Sequence, residues 1–338
     1  MENRTNGVIS CEMRGNSTSR HQCKGLLFAA VMLSWVMFAE IVKQKSRSTG
    51  PEGYRVTFVV FATKATKQLC GLLASAILAD FNIVVIGWNC SYAPENVVRH
   101  ISSEYARYLC SNHIDMKLQS LILGADGYDT IFLPLASNQE IIRKFSRTGA
   151  DFVWSAERNL FPDYTVLPSW LKDKYPNITN SPFKYLNFGG WVGTLEACCA
   201  TLSDVAAIID DCGPFCAHSG SSFARHDQHA AHIALGGKQW MSSKRFKVVL
   251  DDKNSIFHPA WPDCKDFVTL PGNNVRLMNG QMPLMLHLNG DSKFACPEKI
   301  LHTGMILSRH SHTNIKIHLF NDSRVDSLEF GDVCKEFL

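Results

Sequence analysis

The sequence predicts an α/β fold built on a mainly parallel central sheet. Short apolar runs rich in β-branched residues alternate with segments whose apolar residues recur at helical spacing. This alternation is typical of parallel strands joined by right-handed helical crossovers. A hydrophobic content of 46% is ample for a large core. No linker-like or low-complexity tract divides the chain after residue 54, so one domain is favoured over two.

The elements follow in order from residue 55. The predicted strands are apolar runs at 55–61, 82–86, 118–125, 130–134, 150–156 and 246–251. The predicted helices carry apolar residues three and four positions apart and occupy 66–81, 94–110, 137–146, 194–210 and 227–235. Pro94 suits the first turn of its helix, where its missing N–H would have no partner. The carboxyl ends of the parallel strands should meet at one edge of the sheet, where ligands bind in open α/β folds.

Two carboxylates stand where the third strand ends, in Asp126-Gly-Tyr-Asp129. Hard oxygen ligands suit Mg²⁺ or Mn²⁺, and such a pair can hold a metal ion against a nucleotide diphosphate. The same residues are also ordinary turn chemistry, with Gly127 supplying a positive φ and the aspartates capping the loop. The residues alone leave both interpretations open.

The N-terminal region predicts the uncleaved signal anchor of a single-pass type II membrane protein. A cytosolic tail at 1–24 precedes an apolar anchor at 25–42, and a basic, Pro/Gly-containing stem at 43–53 follows it. Signal cleavage with secretion is the alternative, because the uncharged run is shorter than the usual span of about 20 residues. Basic residues flank both ends of the run, so they do not orient it.

Cysteines and glycosylation sequons favour a Golgi or endoplasmic-reticulum lumen for the rest of the chain. Ten of the 12 cysteines follow the anchor. Sequons occur in the same part of the chain, at Asn89, Asn177 and Asn321. Cys212 and Cys216 could form a local bridge, and a bridge between Cys296 and Cys334 could bracket a C-terminal lobe. The net charge of +3 is too small to favour nucleic acid as a partner.

A succession of short blocks resembles the glycosyltransferase domain of the procollagen lysyl hydroxylase (procollagen-lysine 2-oxoglutarate 5-dioxygenase) family. In the family's order, the blocks are Asp126-Gly-Tyr-Asp129, Ser155-Ala-Glu157, Phe161-Pro-Asp163, Tyr175-Pro176, Leu186-Asn-Phe-Gly-Gly190, Asp227-Gln228, Leu250-Asp251, Ile256-Phe257 and His287-Leu-Asn-Gly-Asp-Ser-Lys293. The resemblance implies a GT-A-like nucleotide-sugar transferase fold over residues 54–295, without the dioxygenase domain. Residues 296–338 would then be a C-terminal extension.

The resemblance further implies a metal-dependent transfer of a hexose from UDP-glucose or UDP-galactose. By analogy the acceptor is a glycoprotein, a collagen-like chain or a glycan. Asp126 and Asp129 match the family's metal-binding pair, and His287 matches the histidine that completes it. Two carboxylates neutralise most of the charge of a divalent ion, and an imidazole suits Mn²⁺, with Mg²⁺ as the other choice.

Other matching positions imply contacts with the donor or the transferred sugar. The implied donor-binding residues are Thr63, Asn187, Gly189, Gly190, Asn289, Gly290 and Lys293. Each has a structural alternative, such as a strand-end cap for Thr63, a tight turn for the paired glycines and a solvated surface lysine for Lys293. Asp227 matches an acidic residue near the transferred sugar and would be the catalytic group, with a helix N-cap as its alternative.

Two residues depart from the family pattern. Phe188 replaces a residue that is usually small, and His226 replaces the acidic residue or serine that precedes Asp227 in the family. These departures leave open a catalytically inactive, membrane-anchored sugar-binding or scaffold protein.

Two further chemistries are weaker alternatives. Glycosidase action would need flanking carboxylates, for which Asp126 and Glu157 are the candidates. The pattern His113-Ile-Asp115 fits a short oxygenase signature but stands just before the strand that leads to Asp126.

Overall fold

A large central sheet organises the fold. The computed structural model describes residues 55–90, 94–111, 121–162, 171, 179–210, 226–236, 245–261, 264–270, 274–290, 314–321 and 324–337. Their strands are β1 Val56–Phe61, β2 Asn82–Ile86, β3 Leu121–Asp126, β4 Thr130–Phe132, β5 Phe152–Glu157, β6 Tyr185–Thr194, β7 Val248–Leu250, β8 Phe257–Pro259, β9 Phe267–Thr269, β10 Val275–Leu277, β11 Met285–His287, β12 Lys316–Asn321 and β13 Arg324–Glu329. Their helices are α1 Lys67–Leu78, α2 Pro94–Leu109, α3 Asn138–Thr148, α4 Leu195–Asp210, α5 Asp227–Gly236 and α6 Phe330–Val333.

Eight strands form the large sheet in the order β13-β12-β2-β1-β3-β6-β5-β7. Four neighbouring pairs are parallel, namely β12 with β2, β2 with β1, β1 with β3 and β5 with β7. The other three pairs are antiparallel. The predicted mixed α/β architecture with a mainly parallel sheet is confirmed, and it fits a GT-A-like fold.

Helices cover both faces of this sheet because successive side chains of a strand point to opposite sides. Phe58 and Val60 of β1 belong to the core that contains α1 and α3, whereas Val59 and Phe61 belong to the core that contains α2, α4 and α5. The helix termini are fixed locally. The Thr66 side chain accepts a hydrogen bond from Leu69 N at the start of α1, as expected of an N-cap.

A second, three-stranded sheet lies against the first core in the order β4-β11-β8. β11 is antiparallel to β4 and parallel to β8. Met285 of β11 and Phe257 of β8 contribute side chains to the core shared with α1. This small sheet is what carries His287 to the edge of the large one.

β6 is a strand that the sequence does not predict. A tight turn at Gly189 and Gly190 is wrong, since both glycines lie within this ten-residue strand. The strand is inserted between β3 and β5 because Trp191 packs over Gly124, where an added Cβ would lie 2.1 Å from the indole. The hydrophobic pattern within one strand gives no sign of such a contact with a residue of another strand.

The C-terminal residues complete the large sheet. β12 pairs in parallel with β2, and β13 forms the outer edge. A disulfide joins Cys70 in α1 to Cys334 just after α6, so the suggested bridge between Cys296 and Cys334 is wrong. A second disulfide joins Cys110 to Cys199.

Several predictions concern residues outside the described ranges. They include the tail, anchor and stem at 1–53, the bridge between Cys212 and Cys216, and the pattern His113-Ile-Asp115. Among the helices that the structure describes, none combines the length and the apolar character needed to cross a bilayer.

Candidate functional site

Strand pairing brings together three side chains that we call the triad, Asp126, Asp129 and His287. Asp126 ends β3 at the carboxyl edge of the large sheet, and Asp129 closes the turn into β4. The antiparallel pairing of β4 with β11 sets His287 opposite Thr130. Leu288 N then donates a hydrogen bond of 2.7 Å to Asp129 O. The backbone of the small sheet therefore places the histidine beside the acidic pair.

The triad has the dimensions of a cation site. His287 Nε2 lies 3.2 Å from Asp126 Oδ2 and 3.2 Å from Asp129 Oδ1. One ligand atom from each residue falls within 4.8 Å of the others. The imidazole is buried, whereas the side chain of Asp126 is 42% exposed. The histidine thus forms the floor of the site and the carboxylates form its rim.

The charges of the triad fit a divalent ion. Burial by itself would lower the pKa of His287, but the charge of Asp129 and the charge and hydrogen bonds of the acidic pair raise it to about 10. Nε2 is buried, and among the described residues it has no hydrogen-bond partner apart from these two carboxylates. Two carboxylates and one imidazole nitrogen form a ligand set that suits Mn²⁺ or Mg²⁺.

The turn between Asp126 and Asp129 packs against the residues that end and follow β1. The positive φ expected of Gly127 is wrong, since the positive-φ glycines of the described residues are Gly87, Gly149, Gly280 and Gly290. Gly127 instead allows a close approach, because an added Cβ would lie 2.6 Å from Phe61 O. The Tyr128 hydroxyl accepts a hydrogen bond of 3.1 Å from Thr63 N. Thr63, predicted to contact the donor, therefore lies beside this turn.

The start of β6 lies against the imidazole of the triad. An added Cβ on Gly189 would be 2.1 Å from His287 Cε1, so only glycine leaves room for the ring. The neighbouring Gly190 faces Met285 and Phe257, each 2.9 Å from an added Cβ. The predicted contacts of these two glycines with the donor stay predictions.

Phe188 belongs to the core and not to this edge of the site. Its ring packs 5.3 Å from that of Trp154 between centroids, on the face of the sheet that carries α4 and α5. The adjacent residues Asn187 and Gly189 point to the other face, as the strand period requires. The departure from the family pattern at Phe188 is thus accommodated by the hydrophobic core.

A buried carboxylate, Glu157, stands behind the triad at the end of β5. It is 4% exposed and accepts hydrogen bonds from the side-chain amides of Asn187, Gln228 and Asn289. Burial raises the pKa of Glu157 to about 7, although these hydrogen bonds and the charge of His287 act in the opposite direction. The sequence offers one signal for this role, a carboxylate directly after an apolar strand. The glycosidase alternative for Asp126 and Glu157 stays a prediction.

Asp227 begins α5. Its carboxylate accepts a hydrogen bond of 2.6 Å from Gln228 N and lies 2.9 Å from His226 Nδ1. Burial would lower the pKa of His226, but Asp227, through its charge and hydrogen bond, and the charge of Asp126 together raise it. The charges of Asp126 and Asp227 also act on Tyr105. Asp227 thus lies near enough to Asp126 for both charges to act on Tyr105 and His226, and its catalytic role stays a prediction.

Tyr105 of α2 is a supporting residue that the sequence did not reveal. Its hydroxyl accepts a hydrogen bond from Phe61 N at 3.1 Å and donates one to Ala125 O at 3.2 Å. It thereby ties the ends of β1 and β3 together directly behind Asp126. Burial, followed by the charge of Asp126, raises the pKa of this hydroxyl far above its ordinary value.

The loop after His287 also contributes to the site. The side chain of Asn289 reaches Glu157 and accepts a hydrogen bond of 3.2 Å from Trp261 N. Gly290 has φ +58, and an added Cβ would lie 2.5 Å from the Trp261 ring. Lys293, predicted to contact the donor phosphates, lies outside the described residues.

A GT-A-like α/β domain with a candidate divalent-metal site at its carboxyl edge is the class that this fold and geometry define. Residues 53–211 match the family model described as the PLOD GT domain. The predicted resemblance to the glycosyltransferase domain of the procollagen lysyl hydroxylases is confirmed over this segment. The segment includes Asp126 and Asp129 but ends before Asp227 and His287, and of these two the structure groups His287 with the acidic pair.

Curated relatives agree with this match. The chain is 27% identical over 170 residues to "Procollagen-lysine,2-oxoglutarate 5-dioxygenase 1" of Homo sapiens, covering 49% of this chain and 22% of the relative. It is 29% identical over 178 residues to "Procollagen-lysine,2-oxoglutarate 5-dioxygenase" of Drosophila melanogaster, covering 52% of this chain and 22% of the relative. The chain thus aligns with about a fifth of the length of these proteins.

Proposed function

We propose that this protein is a metal-dependent glycosyltransferase that moves a hexose from a UDP-sugar to a protein-linked or glycan acceptor. The observation that supports this most directly is the convergence of the triad at the carboxyl edge of a sheet related to glycosyltransferase domains. In open α/β sheets this edge is where ligands bind. A mixed set of two carboxylates and one imidazole suits Mn²⁺, with Mg²⁺ as the alternative.

Each residue of the site has a proposed task. The triad holds the divalent ion, which when bound stabilises the charge of the departing diphosphate. Thr63 and the loop of Asn289 and Gly290 line the donor side. Asp227 lies at the start of α5, where its carboxylate can bind a sugar hydroxyl or accept the acceptor's proton.

UDP-glucose and UDP-galactose are the proposed donors, and a collagen-like chain, a glycoprotein or a glycan is the proposed acceptor. This part of the proposal rests on the relatives, whose names refer to procollagen lysine. A relationship of this kind is better evidence for the class of reaction than for the identity of the substrate.

We also propose that the domain resides in the lumen of the Golgi or endoplasmic reticulum, held by an N-terminal type II anchor. The two disulfides support an oxidising compartment. Protease protection of the protein in sealed microsomes tests this orientation. Digestion of the domain in intact vesicles would contradict a lumenal position.

The central test is release of UDP from UDP-glucose and UDP-galactose in the presence of Mn²⁺. Asp129→Ala should lower turnover about a hundredfold or more, because it removes a ligand of the ion that stabilises the leaving group. Asp326→Asn is a matched control, since Asp326 is an exposed carboxylate on β13. Full activity of Asp129→Ala, or of the wild-type protein in excess chelator, would refute the metal-dependent reaction.

One observation favours a second candidate, an inactive sugar-binding or scaffold protein. His226 lies 2.9 Å from Asp227 and occupies the position at which the resemblance implies an acidic residue or serine. If the imidazole keeps Asp227 engaged, the carboxylate is less available for chemistry. Binding of UDP and Mn²⁺ without turnover of any UDP-sugar would favour this role.

A further inference from the structure

The buried amides around Glu157 form a hydrogen-bond network that reaches the triad. Glu157 Oε1 accepts from Asn187 Nδ2 at 3.1 Å and from Gln228 Nε2 at 2.8 Å. Its Oε2 accepts from Asn289 Nδ2 at 3.2 Å. Asn187 Oδ1 in turn lies 2.9 Å from His287 Nδ1. One carboxylate therefore connects β5, β6, α5 and the loop after β11.

The direction of every hydrogen bond in this network is fixed by a backbone N–H, which can only donate. Gly189 N donates to Asn187 Oδ1 at 3.1 Å, and Phe188 N donates to Gln228 Oε1 at 3.2 Å. Trp261 N donates to Asn289 Oδ1 at 3.2 Å. Since each amide oxygen is engaged by a backbone donor, each amide nitrogen must point toward Glu157.

This polarity determines which nitrogen of His287 carries the hydrogen. Asn187 Oδ1 is an acceptor, so the facing Nδ1 must be the protonated nitrogen. A neutral imidazole then has its lone pair on Nε2, the atom that lies 3.2 Å from both carboxylates of the triad. The ring is thus held in the tautomer that a metal ligand needs.

We infer that Glu157 is a positioning residue for the metal site: through Asn187 it holds the tautomer and orientation of His287. It contacts neither carboxylate of the triad by any hydrogen bond that the structure describes, and it acts only through the amides. The inference rests on the proposed metal site, because it assigns the Nε2 lone pair to a bound divalent ion. It also explains why a charged group is buried at the end of β5, where a neutral residue would leave three amides without their common acceptor.

The test is a double-mutant cycle that measures Mn²⁺ affinity by calorimetry, with Mn²⁺ alone as the probe. Glu157→Gln keeps the size of the side chain but turns an N–H toward at least one of the three amides. Asn187→Ala removes the acceptor for His287 Nδ1. Each single variant should weaken Mn²⁺ binding by about tenfold to a hundredfold, the usual cost of losing a supporting partner. The double variant should be little worse than either, because both residues act on the same imidazole.

Two controls separate positioning from general destabilisation. Asp251→Asn alters another buried carboxylate, which accepts hydrogen bonds from Ser255, Ile256 and Phe257. It should lower thermal stability and leave Mn²⁺ affinity unchanged. Asp129→Ala should abolish binding and so shows that the measured ion occupies the triad.

The outcomes distinguish the inference from the function on which it rests. If Asp129→Ala abolishes binding while Glu157→Gln binds Mn²⁺ like the wild type, the positioning role is overturned and the metal site stands. Losses that simply add in the double variant would also overturn it, since they would indicate separate routes. If the wild-type protein binds no divalent ion, the proposed metal dependence and this inference fall together.

Discussion

Gly189→Ala should remove metal binding without changing any proposed ligand. The added Cβ would lie 2.1 Å from His287 Cε1 and 2.4 Å from Nδ1, whereas ordinary contact begins near 3.4 Å. The imidazole must therefore retreat by about 1.3 Å to restore a normal contact distance. Ligand distances in metal sites hold to within about 0.2 Å, so Nε2 would leave coordination range. Affinity for Mn²⁺ should fall about a hundredfold or more, which corresponds to about 2.8 kcal/mol.

The assay is Mn²⁺ titration by calorimetry, with thermal unfolding of the metal-free protein as a companion measurement. Gly193→Ala is the matched control in the same strand, because its Cβ would meet Asp151 O at 2.8 Å. Both variants should lose about 1–3 kcal/mol of stability through overpacking. Only Gly189→Ala should lose metal affinity. Wild-type affinity in a folded Gly189→Ala protein would show that the imidazole does not sit over this glycine when the ion binds.

Other perturbations test different parts of the molecule. Because the pKa of His287 is raised to about 10 in the metal-free protein, a bound ion must displace its proton. Mn²⁺ affinity should therefore rise by up to about tenfold per pH unit between about pH 6 and 8, and a flat calorimetric profile would contradict this. Asp227→Asn should keep UDP affinity and lower transfer about a hundredfold or more in the UDP-release assay; unfolding of the variant would instead indicate a role as helix cap. Cys70→Ser should lower the free energy of unfolding by about 2–5 kcal/mol in urea titrations, and an unchanged midpoint would show that the bridge to Cys334 is not a stabilising restraint.

The parts of the fold that were predictable are those with a local signal. The first three strands and the helices between them lie within a few residues of their predicted limits. Their short, continuous apolar runs differ from the helical segments, in which apolar residues recur three and four positions apart. Asp126 and Asp129 could also be predicted from a local signal, because they are polar residues that follow an apolar strand.

The parts that were missed depend on partners far away in the chain. β6 contains three glycines and an asparagine, and its run Asn187-Phe-Gly-Gly190 has a composition that suits a turn. It is a strand because Gly124 accepts Trp191 and because Gly189 lies beneath an imidazole from β11. The two C-terminal strands likewise depend on distant partners, since β12 pairs with β2 and β13 pairs with β12 at the edge of the sheet.

The sequence by itself determined the alternation of strands and helices, the acidic pair at a strand end and the resemblance to a glycosyltransferase domain. These follow from residue order, which sets hydrophobic period and motif spacing. The resemblance implied that His287 joins Asp126 and Asp129, and only the tertiary structure decided how they meet, through the pairing of β4 with β11. It also decided the use of Asn187 and Glu157 as supports of that histidine. The physical reason is that strand register and hydrogen-bond direction arise from contacts between distant segments, and such contacts leave no periodic trace in the chain.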